Sequence, residues 1–95
     1  MRHPIFFQDS TVVWRITFYS DDLKTAPVDP TSVAFRLESP SGTVVDVTPT
    51  NEPDTGKYSA MHVMNEYGLW DWHWQTETPR IVDQGIVEIV QRNVP

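Results

Sequence analysis

Apolar and polar residues alternate with a period of two along most of this chain. In residues 11–19, Val12, Trp14, Ile16 and Phe18 point one way, and Val13, Arg15, Thr17 and Tyr19 the other. Alternation rich in β-branched and aromatic residues marks a half-buried strand. Residues 32–38 repeat it, with Val33, Phe35 and Leu37 inward and Arg36 and Glu38 outward. Ser39-Pro-Ser-Gly42 is a turn, because proline presets φ and glycine accepts a positive one. Residues 43–48 then return as a hairpin partner. Residues 57–63 place Tyr58, Ala60 and His62 on one side. Residues 69–76 set Trp70, Trp72 and Trp74 against Asp71, His73 and Gln75, and residues 84–90 form the last strand. No window shows a helical period with caps. Short strands at this spacing predict an all-β sandwich or small barrel.

Length and composition narrow the picture. Ninety-five residues make one domain, with residues 1–10 as an N-terminal arm or first strand and 11–95 as a single β-sandwich. A chain this short buries about 60–65% of its unfolded surface, so the core is thin and a deep catalytic cleft is not expected. Four Trp, four Phe and three Tyr supply much buried area per residue. The net charge is -6, and the seven Lys and Arg are scattered, so no basic stripe points to nucleic acid. An anionic membrane would repel such a surface. Cysteine is absent, so the fold tolerates a reducing cytoplasm. The apolar run Ile5–Phe7 is too short for a signal peptide, and no window approaches a membrane helix.

The candidate chemistry is sparse. Asp71 and His73 share a strand face, which reads as a solvated polar face without a third positioned group. His3, His62 and His73 lack metal-ligand spacing, and Asp21-Asp22 lacks the alternating acids of a calcium loop. Four glycines form no phosphate loop, so no cofactor and no catalysis are expected. The Trp70, Trp72, Trp74 row reads as core, because the opposite face is the wet one. A sugar-stacking platform is the alternative.

Asp54-Thr-Gly-Lys-Tyr58 carries more information about fold. In immunoglobulin-like domains Asp-x-Gly-x-Tyr precedes a strand, and the tyrosine hydroxyl bonds to upstream backbone as a tyrosine corner. Gly56 would supply the positive φ and Tyr58 would lock the loop, so Tyr58→Phe should cost roughly 1–3 kcal/mol. Ala60 stands where antibody domains place their second Cys. The expectation is an immunoglobulin-like β-sandwich of about six to seven antiparallel strands.

The motif order continues with Asp-Pro-Thr-Ser-Val-Ala-Phe-Arg-Leu (29–37), Ser-Pro-Ser-Gly-Thr-Val-Val (39–45), Gly-Leu-Trp-Asp-Trp-His-Trp (68–74) and Gly-Ile-Val-Glu-Ile (85–89). Over most of residues 11–90 this order resembles small proteins encoded among the head and tail genes of tailed bacteriophages. The resemblance implies a non-enzymatic virion component assembled in the host cytoplasm. A capsid decoration or cement protein is the first expectation, and a neck, tail or baseplate module the second. Its partners would be other virion proteins such as the major capsid protein, with homo-oligomers possible and neither nucleic acid nor membrane involved. Apolar anchors outside the inferred core nominate Ile5, Phe6, Phe7, Met64, Tyr67 and Leu69 as the interface. The arm either completes its own sheet edge or adds a strand to a neighbour. If it docks, deleting residues 1–8 leaves a folded monomer that no longer binds its assembly.

Overall fold

In the computed structural model, which describes residues 3–20 and 23–91, each alternating segment is a strand. The strands are β1 (Ile5–Phe7), β2 (Thr11–Thr17), β3 (Ala34–Glu38), β4 (Val44–Val47), β5 (Thr50–Asn51), β6 (Lys57–Val63), β7 (Gly68–Gln75) and β8 (Val82–Val90). They form a five-stranded sheet, β1-β8-β7-β3-β4, and a three-stranded sheet, β2-β6-β5. The fold is an all-β sandwich. Asp21 and Asp22, considered above for calcium, lie outside the described residues.

Even-numbered residues of β2 and β6 face the other sheet. Val12, Trp14, Tyr58 and Ala60 are buried there, with Phe18 just beyond β2. Phe35 and Leu37 of β3, Trp70 and Trp74 of β7, and Val87 and Ile89 of β8 meet them. The hairpin over residues 39–42 forms as expected: Gly42 has φ +92°, and its N–H donates to the Ser39 carbonyl at 2.9 Å. The loop after β6 is tight because Gly68, at φ +130°, lies against Pro40, where a Cβ would fall 2.6 Å from the proline ring.

Two expectations change. The described residues form eight strands rather than six or seven, the additions being β1 and the two-residue β5. One pairing is parallel: Ile5, Phe6 and Phe7 of β1 lie beside Glu88, Ile89 and Val90 of β8. The chain then turns through Asp9, at φ +71°, and enters the other sheet as β2. The Gln8 N–H reaches the Val90 carbonyl at 2.8 Å and the Asp9 N–H the Met64 carbonyl at 2.8 Å. The arm is therefore the first strand of this domain. The order β2-β6-β5 facing β8-β7-β3-β4 is consistent with B-E-D facing G-F-C-C′ in an immunoglobulin-like sandwich.

Deleting residues 1–8 should accordingly destabilise the fold rather than leave it intact. The loss of the β1 ladder and of Phe6 over the sandwich rim amounts to about 2–4 kcal/mol. Urea unfolding checks this, and an unchanged midpoint would return the segment to the status of a free arm.

Candidate functional site

Tyr58 does not act as the lock. It opens β6, the central strand of the smaller sheet, whereas the tyrosine of an antibody-type corner opens the strand that β7 occupies here. Among the described residues no hydrogen bond joins its hydroxyl to upstream backbone. The loop is closed instead by Asp29, whose Oδ1 accepts the Gly56 N–H at 2.6 Å, a short charge-assisted bond. The Phe18 N–H donates to the Gly56 carbonyl at 2.9 Å, and the Val28 N–H to the Phe18 carbonyl at 2.9 Å. Gly56 is buried at φ +81°, and a Cβ would stand 2.8 Å from the Phe18 carbonyl oxygen. Three stretches of backbone meet at this glycine. Tyr58 contributes its ring, packed edge-on against Phe18 with centroids 5.6 Å apart.

The tryptophan row divides. Trp70 and Trp74 are each 1% exposed, and the Trp70 indole N–H donates to the Glu66 carbonyl at 2.8 Å. Trp72, between them, is only half-buried, because its cross-strand partner on β8 is Gly85. The indole lies over that glycine, where any Cβ would run into it. The row is thus core with one side chain at the rim, and it builds no flat exposed platform for sugar stacking. On the outer face, Asp71 stands between Glu38 and Ile86, and His73 between Arg36 and Gln84. Arg36 Nε donates to Asp46 Oδ1 at 2.9 Å across the β3–β4 hairpin. Among the described residues no group of three or more His, Asp or Glu converges as metal ligands.

Five of the six nominated interface residues are exposed. Ile5 (58%) and Leu69 (54%) flank Glu88 in one row on the outer face of the larger sheet, and Phe7 (61%) lies beside Val90 in the next. Tyr67 precedes Gly68, which pairs with Ile89. Phe6, paired with Ile89, turns toward the interior and is the least exposed of the three arm residues. Met64 corrects the expectation: it is 0% exposed. The inward parity of Tyr58, Ala60 and His62 carries on past the end of β6. The Met64 N–H then donates to the Ser10 carbonyl at 3.0 Å, which holds the side chain in the core.

The structure adds residues that the sequence reading passed over. Val13 and Met61 stand directly opposite each other on the outer face of the smaller sheet, and Val63 is in the next row opposite Thr11. All three are exposed. The available signal was apolar residues at the wet positions of two strands. A second addition is an open groove of about 520 Å³ along one flank of the sandwich. Phe6, Trp14, Trp72, Gly85 and Val87 are among the residues that line it.

No protein-family model matches the chain, and no curated protein matches it.

Two measurements separate the roles of Asp29 and Tyr58. In urea unfolding, Asp29→Ala should cost about 1.5–3 kcal/mol, and Tyr58→Phe less than about 1 kcal/mol. The reverse order would restore the tyrosine as the lock. Burial, and then the negative charge of Asp29, raises the Tyr58 pKa above the usual phenol value of 10.0. The folded state therefore holds that proton more tightly than the unfolded chain. The associated stabilisation is complete below pH about 10 and is lost as pH climbs through the folded-state pKa. Phenolate absorbance should show Tyr58 ionising late in the folded protein, and earlier in Asp29→Asn.

Proposed function

We propose that this protein is a non-enzymatic structural component of a tailed-phage virion that works by docking apolar surface, with capsid decoration or cementing as its role. The observation that carries the docking half is the gathering of Ile5, Phe7 and Leu69 on one outer face, although residues 5 and 69 are far apart in sequence. Exposed apolar clusters of this kind mark interaction surfaces. Charge is a poor alternative, because scattered surface ion pairs such as Arg36–Asp46 contribute about 0–1 kcal/mol each. The virion half is supported by the order of motifs from Asp29 to Ile89, which resembles small head and tail proteins of such phages. The partner is then a virion protein such as the major capsid protein, or a further copy of the chain within the same shell.

Mass spectrometry of particles purified from cells that encode the chain tests the reading. The chain should be present at a high copy number set by the shell's symmetry. A low copy number matching a neck or tail ring would move it to that position, and particles without it would overturn the proposal. Phe7→Asp and Leu69→Asp, both at exposed positions, should reduce incorporation at least tenfold while leaving the unfolding midpoint close to that of the parent.

A further inference from the structure

Strand β2 is the outermost strand of its sheet: β6 pairs with one side, and no strand among the described residues pairs with the other. Two bonds identify the residues that face the open side. The Phe18 N–H donates to the Gly56 carbonyl, and the Ser10 carbonyl accepts from Met64, so the even-numbered residues turn their backbone toward β6. Backbone groups alternate sides residue by residue along a strand. Thr11, Val13, Arg15 and Thr17 therefore present their N–H and C=O groups to the open edge. Among the described residues the facing sheet is open on the same flank, because β1 pairs with only Glu88–Val90 of β8. The apolar groove over Trp14, Trp72 and Gly85 lies between these two edges.

Such an edge is normally blunted by proline, lysine, a bulge or shortness. Strand β1 shows two of these, being three residues long and preceded by Pro4. Strand β2 has seven residues, Thr-Val-Val-Trp-Arg-Ile-Thr, with one charge and no proline. In the B-E-D arrangement, the vacant position beside β2 is the one that strand A takes in the constant-type sandwich.

We propose that the open edge of β2 receives a β-strand from a partner chain. The incoming segment runs antiparallel to β2, is apolar at the alternate positions that enter the groove, and carries a carboxylate opposite Arg15. The backbone groups of Thr11, Val13, Arg15 and Thr17 demand an extended polypeptide, since only a strand repeats donors and acceptors at their spacing. Trp14 and Trp72 demand apolar side chains on the face that enters the groove. Arg15 is exposed and has no ion pair among the described residues. An opposed acid across the ladder stabilises such a strand. A second copy of β2 fits less well. It has no acid to place opposite Arg15, and the pairing would join two chains of net charge -6. The proposal rests on the docking reading above for the source of the strand, but strand capture is measured on the isolated protein, so the two can fail separately.

The test uses the capped peptide Thr-Val-Glu-Val-Thr-Val-Thr, whose Glu falls opposite Arg15 in the antiparallel register. Its counterparts carry Lys in place of Glu, or Pro in place of the Thr opposite Val13, whose N–H would face β2 in the ladder. Tryptophan fluorescence of the full chain should change saturably with the Glu peptide. Binding should be at least tenfold weaker for the Lys peptide and lost for the Pro peptide. In Arg15→Glu, a surface change checked for folding by circular dichroism, the preference should invert in favour of Lys. Any of three results would overturn the proposal: no saturable change with the Glu peptide, equal binding of the Pro peptide, or a concentration-dependent dimer of the unliganded chain that Val13→Pro dissolves. The last would assign the edge to a second copy.

Discussion

The sandwich depends on a run of aromatic rings that passes back and forth between its two sheets. Trp14 and Phe35 lie with centroids 5.0 Å apart, Phe35 and Trp74 at 4.5 Å, Trp74 and Phe18 at 6.1 Å, and Phe18 and Tyr58 at 5.6 Å. Trp14, Phe18 and Tyr58 come from the smaller sheet and its continuation, Phe35 and Trp74 from the larger. Tilted and edge-on pairs of this kind contribute about 0.5–1.5 kcal/mol each beyond their buried area. A thin core needs such large side chains, because few positions face inward in a chain of this length. The rings also explain why loops meet at Gly56. Phe18 enters the core just beyond the end of β2, so its backbone is tied on one side to Gly56 and through Val28 to the returning loop.

A second constraint is the early change of sheet. Residues 5–7 pair with β8, and four residues later the chain is pairing with β6. The Asp9 turn closes one end of the sandwich and brings the arm's apolar residues against β8. Among the described residues it also leaves the remaining flank uncovered. One short segment thereby generates both the apolar outer face around Ile5 and Phe7 and the groove over Trp72. Gly85 is the local cause of the groove's shape, since it lets the Trp72 indole lie against the β8 backbone.

Most of the strands were legible in the chain, and the reason is the period of two. Phe35 and Leu37 are inward and Arg36 and Glu38 outward, as their parity requires. Parity also located Trp70 and Trp74 in the core. Met64 departs from the expected interface because its parity with Tyr58, Ala60 and His62 carries it inward, although the polar residues that follow it mark a turn. Tyr58 departs from the expected corner for a different reason. Asp-x-Gly-x-Tyr describes a local turn before a strand, and the same turn serves a strand in either sheet.

Alternation along the chain is enough to place the dry face of β2, β3, β6 and β7, the turn of the hairpin at residues 39–42, and an aromatic core. These are local properties, set by backbone alternation and turn stereochemistry within a few residues. The parallel pairing of β1 with β8, the reach of Asp29 to Gly56 across 27 positions, and the shared face of Ile5 and Leu69 come from long-range packing. The same packing leaves β2 an open edge beside Trp72 among the described residues. Pairing partners are chosen by the packing of the whole sandwich, and alternation along one strand says which face is buried without saying which strand lies alongside.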